Sequence, residues 1–289
     1  MTLPPDLPVV DHHCHLAPSG EGVAAARRFA RAGGTHLFLA TQNYAPGPPT
    51  RLEGYREQFA TTIALAGRVR AEAGVVAFPV LAPHPVDLVR QREALGLAAA
   101  VDLHRAALEA AGAEVRAGRA VALGEIGRPH FPVEPDVADA AEALFDHALG
   151  VARDVGCPAV VHSEDLDAAG YRALADRGHR AGLPPDRLVK HYARTVVAPA
   201  ERAGVVPSIL ARRDLVRESL AHAGPWFWET DFLDDPARPG AVLDLATVAR
   251  RAAAIAETEA GRRALRVPFV ESIERVYGLT LTVDRGAGP

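Results

Sequence analysis

The feature that most constrains the fold is a recurrence of eight short apolar runs separated by stretches of helical composition. The runs span residues 9–16, 35–40, 74–81, 120–127, 158–164, 187–192, 205–210 and 225–231. They are apolar along most of their length instead of alternating with polar residues, as strands of a parallel sheet covered by helices on both faces must be. The helical stretches end near Arg31, then cover about 51–73, 86–118 with a break near Gly96, 136–155 and 167–182. They continue with a short helix near 197–203, one near 214–222 and two C-terminal helices at about 241–258 and 267–277. The last few residues are expected to fray. Eight strand–helix units in 289 residues predict an α/β fold, a closed (β/α)8 TIM barrel forming one domain over residues 1–289. An open doubly wound sheet is the alternative, but no Gly-x-Gly-x-x-Gly phosphate loop follows the first run, which weighs against dinucleotide binding.

A net charge of −4 gives no basic footprint for nonspecific duplex binding, although a local groove could still carry positive charge. Two cysteines, Cys14 and Cys157, make no disulfide framework, and no apolar run follows a basic start. No stretch approaches the roughly 20 apolar residues that span a bilayer. These features predict a cytoplasmic protein with no membrane association and no obligate protein partner.

In a barrel the C-terminal ends of all strands meet at one face. His13, His15, Glu125, His162, His191 and Asp231 all fall at predicted strand ends. His13 and His15, two residues apart on a strand, point to the same side. That pair alone is weak evidence for a metal, but the recurrence at five strand ends strengthens it. Imidazole and carboxylate suit zinc and related first-row ions, and six ligands with one bridging carboxylate suffice for two. The expected division puts His13, His15 and Asp231 on one ion and His162 and His191 on the other, with Glu125 bridging. Water held between two divalent ions (Zn, Mn, Mg or similar) would lose a proton near neutral pH and become the nucleophile.

The segments Asp11-His12-His13-Cys14-His15-Leu16, Gly124-Glu125-Ile126-Gly127, Val161-His162-Ser163, Lys190-His191 and Glu229-Thr230-Asp231 carry a family resemblance. With His84-Pro85 and the closing Ser272–Gly278 segment, the ordered set resembles the TatD-type metal-dependent hydrolases of the amidohydrolase superfamily. The resemblance implies a TIM barrel, divalent metals, hydrolysis of a phosphoester by a nuclease or phosphodiesterase, and Asp231 as the group that handles the attacking water's proton. Two departures fall on substrate recognition. Family members usually follow the fifth-strand histidine with a phosphate-gripping arginine, where this chain has Ser163-Glu164-Asp165. The fourth-strand motif usually continues Gly-Leu-Asp-Tyr, where this chain reads Gly127-Arg128-Pro129-His130-Phe131. Arg128 is the candidate to replace the missing arginine.

His84, Arg128, His130, Glu164 and Lys190 are the candidate substrate contacts, with a structural, ion-paired lysine the equal alternative at position 190. Strand parity turns His12 toward the helices, and Cys14 is expected simply to pack. Asp234, Asp235 and the loop of Pro236 and Pro239 read as a solvated turn. His104, His147, His179 and His222 fall on helices, where a surface position is the default. The leading function is phosphoester hydrolysis on a small-molecule or nucleic-acid substrate. The alternatives are hydrolysis of a lactone, an amide or a deamination substrate by the same metals, and a barrel that binds metal or ligand without catalysis.

Overall fold

The computed structural model describes residues 3–235 and 243–283. The proline loop at 236–239, the first residues of the helix expected from 241 and the last residues expected to fray lie outside them. The chain alternates β1 (Val10–His15), α1 (Val23–Arg31), β2 (His36–Ala40), α2 (Leu52–Ala73), β3 (Val76–Leu81), α3 (Asp87–Leu95), α4 (Leu97–Arg116) and β4 (Ala122–Gly127). There follow α5 (Pro135–Val155), β5 (Ala159–His162), α6 (Ala168–Ala181), β6 (Leu188–Ala193), β7 (Val206–Leu210), α7 (Arg213–Ser219), β8 (Phe227–Glu229) and β9 (Phe232–Leu233). Helices α8 (Thr247–Ile255), α9 (Glu259–Ala264) and α10 (Ser272–Tyr277) complete the order, with a π-helical turn at Val267–Glu271 before α10.

The nine strands form one parallel sheet in the order β8-β7-β6-β5-β4-β3-β2-β1-β9. Because β9 follows β8 after two residues and pairs with β1 through Cys14–Phe232 and His15–Leu233, the sheet curls into a TIM barrel. Asp11 staples the same seam, its carboxylate accepting from the Thr230 amide (3.1 Å) and the Thr230 hydroxyl (2.5 Å). Among the described residues no helix is long and apolar enough to cross a membrane.

Three elements differ from the sequence expectation. The helix near 197–203 is only a 3-10 turn at Pro199–Glu201, followed by Ala203 at a φ of +48°, which a continuing helix cannot accommodate. The eighth strand stops at Glu229, and Asp231, at a φ of +50°, separates it from β9. The C-terminal region holds α9 as well, because Thr258 caps a new helix by accepting from Gly261 N (3.0 Å). A Cβ on Gly261 would lie 1.9 Å from the Ile255 carbonyl oxygen, so the restart requires glycine.

Buried polar positions correct three further expectations. His104 is buried, not at the surface: Nε2 meets Gln91 Oε1 at 2.6 Å and the ring lies edge-on to Tyr55. Asp234 is no solvated turn residue, since its carboxylate accepts the amides of Ala17 (3.0 Å), Glu21 (2.7 Å) and Gly22 (2.7 Å). It thereby ties the loop before α1 to the end of β9. His12 does not face the helical layer in front of its strand. It stacks between Phe227 of β8 and Phe38 of β2 and bonds Ser208 Oγ on β7 (3.0 Å), two strands away, a reach that the inside of the barrel provides. Tyr277 of α10 meets its other ring nitrogen at 2.7 Å. The parity rule fails because β1 carries one extra residue between Asp11 and Cys14 relative to β2.

Candidate metal centre

The ligand-bearing strands other than β5 are locally irregular near their ends, in a way that re-aims the side chains there. β1 gains a residue at 12–13, β4 gains one against β5 at Glu125, and β6 gains one against β7 between Lys190 and Ala193, where Tyr192 has a φ of +54°. Bulges of this kind re-aim side chains at barrel rims. At the barrel seam Asp231 holds a left-handed conformation, with its amide bonded to the His13 carbonyl (3.0 Å). A non-glycine residue in that region is strained, and such strain concentrates at functional sites.

Glu125 is 4% exposed and divides its two oxygens between two sets of side chains. Oε2 lies 3.6 Å from His13 Nε2 and 3.4 Å from His15 Nε2, which are 3.2 Å from each other. Asp231 Oδ1 completes that set at 3.8 Å from His13 Nε2 and 3.6 Å from His15 Nε2. Oε1 lies 2.9 Å from His162 Nδ1 and 2.9 Å from His191 Nε2, which are 3.0 Å apart. Ligands at about 2.0–2.1 Å from a tetrahedral ion sit roughly 3.3 Å from one another. Both sets match that spacing closely enough that their donor chemistry and geometry fit a divalent cation.

The electrostatics agree. Burial opposes ionisation of Glu125, yet His84, His191 and His13 hold its carboxyl well below the usual carboxylate range. Asp231 is likewise held low against its burial, first by the His15 hydrogen bond. Burial also opposes charge on His191, but Glu125 and Glu229 outweigh it and push the imidazolium up to about 10. Burial and His84 drive His162 down to about 3. Two ionised carboxylates thus lie against a protonated His191 and a neutral His162, so that a cation binding here would take the place of the His191 proton.

The remaining candidates distribute around this core. His84 presents Nε2 to Glu125 Oε1 at 3.4 Å, while its Nδ1 accepts the Val86 amide (3.2 Å) and so leaves the ring proton on Nε2. It therefore turns an N–H toward the Glu125 carboxylate and acts on it electrostatically. His130 lies at the mouth, with Nδ1 2.8 Å from His162 Nε2. Arg128 and Glu164 pair with each other at the rim through Arg128 Nε and Glu164 Oε2 (3.0 Å), and Arg128 also holds Glu142 (3.1 Å). Lys190 is fully buried, and its Nζ donates to the carbonyls of Ser163 and His191. Cys14 packs, its Sγ directed at the Phe38 carbonyl.

Sequence reasoning assigned no role to Glu229, which is fully buried with Oε1 3.5 Å from His191 Nδ1. The signal was present, since Glu229 precedes Asp231 by two residues as His13 precedes His15. Asp11 was passed over likewise; it accepts the His13 amide (3.2 Å) as well as the Thr230 bonds.

Comparisons with known proteins give the same architecture. An uncharacterised protein of Methanocaldococcus jannaschii is 30% identical over 282 residues, 95% of this chain and 97% of that protein. The solved structure of a TatD homologue from Escherichia coli K12 superposes with a TM-score of 0.60 at 21% identity, covering 93% of this chain and 98% of its own. A mutant of a phosphotriesterase-like lactonase from Deinococcus radiodurans superposes with a TM-score of 0.54 at 17% identity, covering 94% and 96%. The family model described as TatD-related DNase matches residues 10–278, and the chain belongs to that family.

Proposed function

We propose that this chain is a hydrolase that uses two divalent ions, Zn, Mn, Mg or similar, to cleave a phosphoester of a small molecule or nucleic acid. The division of Glu125 between His13, His15 and Asp231 on one side and His162 and His191 on the other carries the reading. Bound ions would supply Lewis acidity and lower the pKa of water to near neutrality.

The chain's own residues do the rest. Asp231, ionised and 18% exposed, takes the proton of the attacking water at its carboxylate. As the water oxygen bonds to phosphorus and the ester oxygen departs with its electron pair, that proton passes to the leaving oxygen. Glu125 keeps both ligand sets at a fixed separation, and the His84 Nε2–H steadies its charge. The buried histidines hold these groups without rearrangement, which is where preorganised electrostatic catalysis arises.

A specific observation favours a second reading, cleavage of a lactone or amide with the same groups. Arg128, the candidate phosphate grip, spends its guanidinium on Glu164 and Glu142, so a phosphate would have to displace a carboxylate to reach it. The Deinococcus neighbour is described as a lactonase. Loading the protein with Zn or Mn and assaying phosphodiester and lactone panels side by side separates the two bond classes. Asp231→Asn is expected to abolish turnover on whichever panel responds while metal content stays close to that of the parent. Retained turnover by that variant would remove Asp231 from the proton transfer, and silence on both panels with metal bound would favour a binding protein.

A further inference from the structure

We infer that His130 is a positioning residue for His162, fixing the proton on His162 Nε2 so that Nδ1 is free to hold an ion. The inference rests on the reading that Glu125, His162 and His191 bind one of two ions. His162 directs Nδ1 at Glu125 Oε1 (2.9 Å) and at His191 Nε2 (3.0 Å), so Nδ1 is its ligating atom. A neutral imidazole carries one ring proton, and with Nδ1 ligating that proton must sit on Nε2. His130 Nδ1, 2.8 Å from His162 Nε2, is then the acceptor. Metal-ligating histidines commonly donate their second N–H to a carboxylate, carbonyl or water, and that partner orients the ring and raises its basicity. Here an imidazole from a neighbouring loop takes that place.

The loop is held to do this. The Arg128 amide donates to the His162 carbonyl (3.1 Å), and its guanidinium clamps Glu164 on the β5–α6 loop and Glu142 on α5. Gly127, at a φ of +128°, allows the approach, since a Cβ there would lie 2.1 Å from the His162 carbonyl oxygen. Phe131 borders His130 edge-on, ring centroids 5.1 Å apart. Arg128, His130 and Glu164, the residues that depart from the family pattern, thus form one device that sets the orientation of His162.

The test is calorimetric titration of Zn or Mn into metal-stripped protein, parent against His130→Leu and His130→Asn. His130 is exposed, so both variants are expected to fold, which circular dichroism checks. The Asn side-chain oxygen occupies nearly the position of the imidazole Nδ1 and restores an acceptor. In the parent, two equivalents are expected. His130→Leu should weaken one of them about 10- to 100-fold and leave the other unchanged, and His130→Asn should recover most of the loss. Unchanged binding in His130→Leu, equal weakening of both equivalents, or no recovery in His130→Asn would overturn the assignment of His130 while leaving the two-ion reading in place. A parent that binds no divalent ion would overturn that reading and this inference with it.

Discussion

Glu229 stands toward His191 as His130 stands toward His162, except that its support is buried and charged. Its Oε1 lies 3.5 Å from His191 Nδ1 and also accepts the Tyr192 amide at 2.7 Å. Replacing it by glutamine keeps an acceptor for Tyr192 but removes the negative charge facing the imidazole. Glu229→Gln is therefore expected to retain its fold and to weaken one metal equivalent by about 10- to 100-fold, read by zinc titration alongside a thermal melt. An unchanged titration would reduce Glu229 to a packing group. The metal-site candidates were legible because strand ends converge in a barrel and residues two apart share a face. His12 was misread for a local reason: the extra residue in β1 between Asp11 and Cys14 breaks the two-residue period on which the reading depended. Irregularity of that kind leaves no mark in composition.

Of the strands that supply the centre, all but β5 gain their function where they stop being regular. β1, β4 and β6 each carry an extra residue beside a candidate ligand, and β8 ends two residues before Asp231. The sequence located these elements to within a few residues but placed Asp231 inside a strand, because a left-handed aspartate in an apolar run is set by the barrel seam and not by local propensity. β4 makes the dependence testable. Gly127 pairs with His162, and a Cβ at its φ of +128° would collide with the His162 carbonyl oxygen, which is backbone and cannot swing away. Gly127→Ala is expected to destabilise the protein by roughly 3–5 kcal/mol in urea unfolding and to lower metal occupancy with it. Gly118→Ala, where φ is +70° but nothing lies within 4 Å, is the control and should cost about 1 kcal/mol. Equal losses would mean that strain, and not the β4–β5 approach, sets the cost.

The molecule as a whole closes because polar groups stitch the seam that the strands leave: Asp11 to Thr230, Asp234 to the loop before α1, Tyr277 to His12. The eightfold alternation was readable from composition, whereas these stitches were not, since each joins residues more than 200 positions apart. Burial of neutral histidines away from the metal centre makes acid the natural way to open this structure. Burial lowers His36 to about 4 and His104 to about 3, from an ordinary 6.5. In the unfolded chain both take up a proton near pH 6.5, so between that pH and the folded values the unfolded state binds more protons and stability falls as pH falls. Their contribution is complete above 6.5, declines through 4 for His36 and through 3 for His104, and is constant below. The shift at His36 alone corresponds to about 3 kcal/mol across that window. Urea unfolding of metal-stripped protein should therefore show a midpoint that drops steadily from pH 6.5 to 4. The variant His36→Asn with His104→Gln keeps partners for Thr35 and Gln91 without the titration, and it should flatten that slope at unchanged stability near pH 7. A parallel slope in parent and variant would assign the acid sensitivity to the barrel mouth instead.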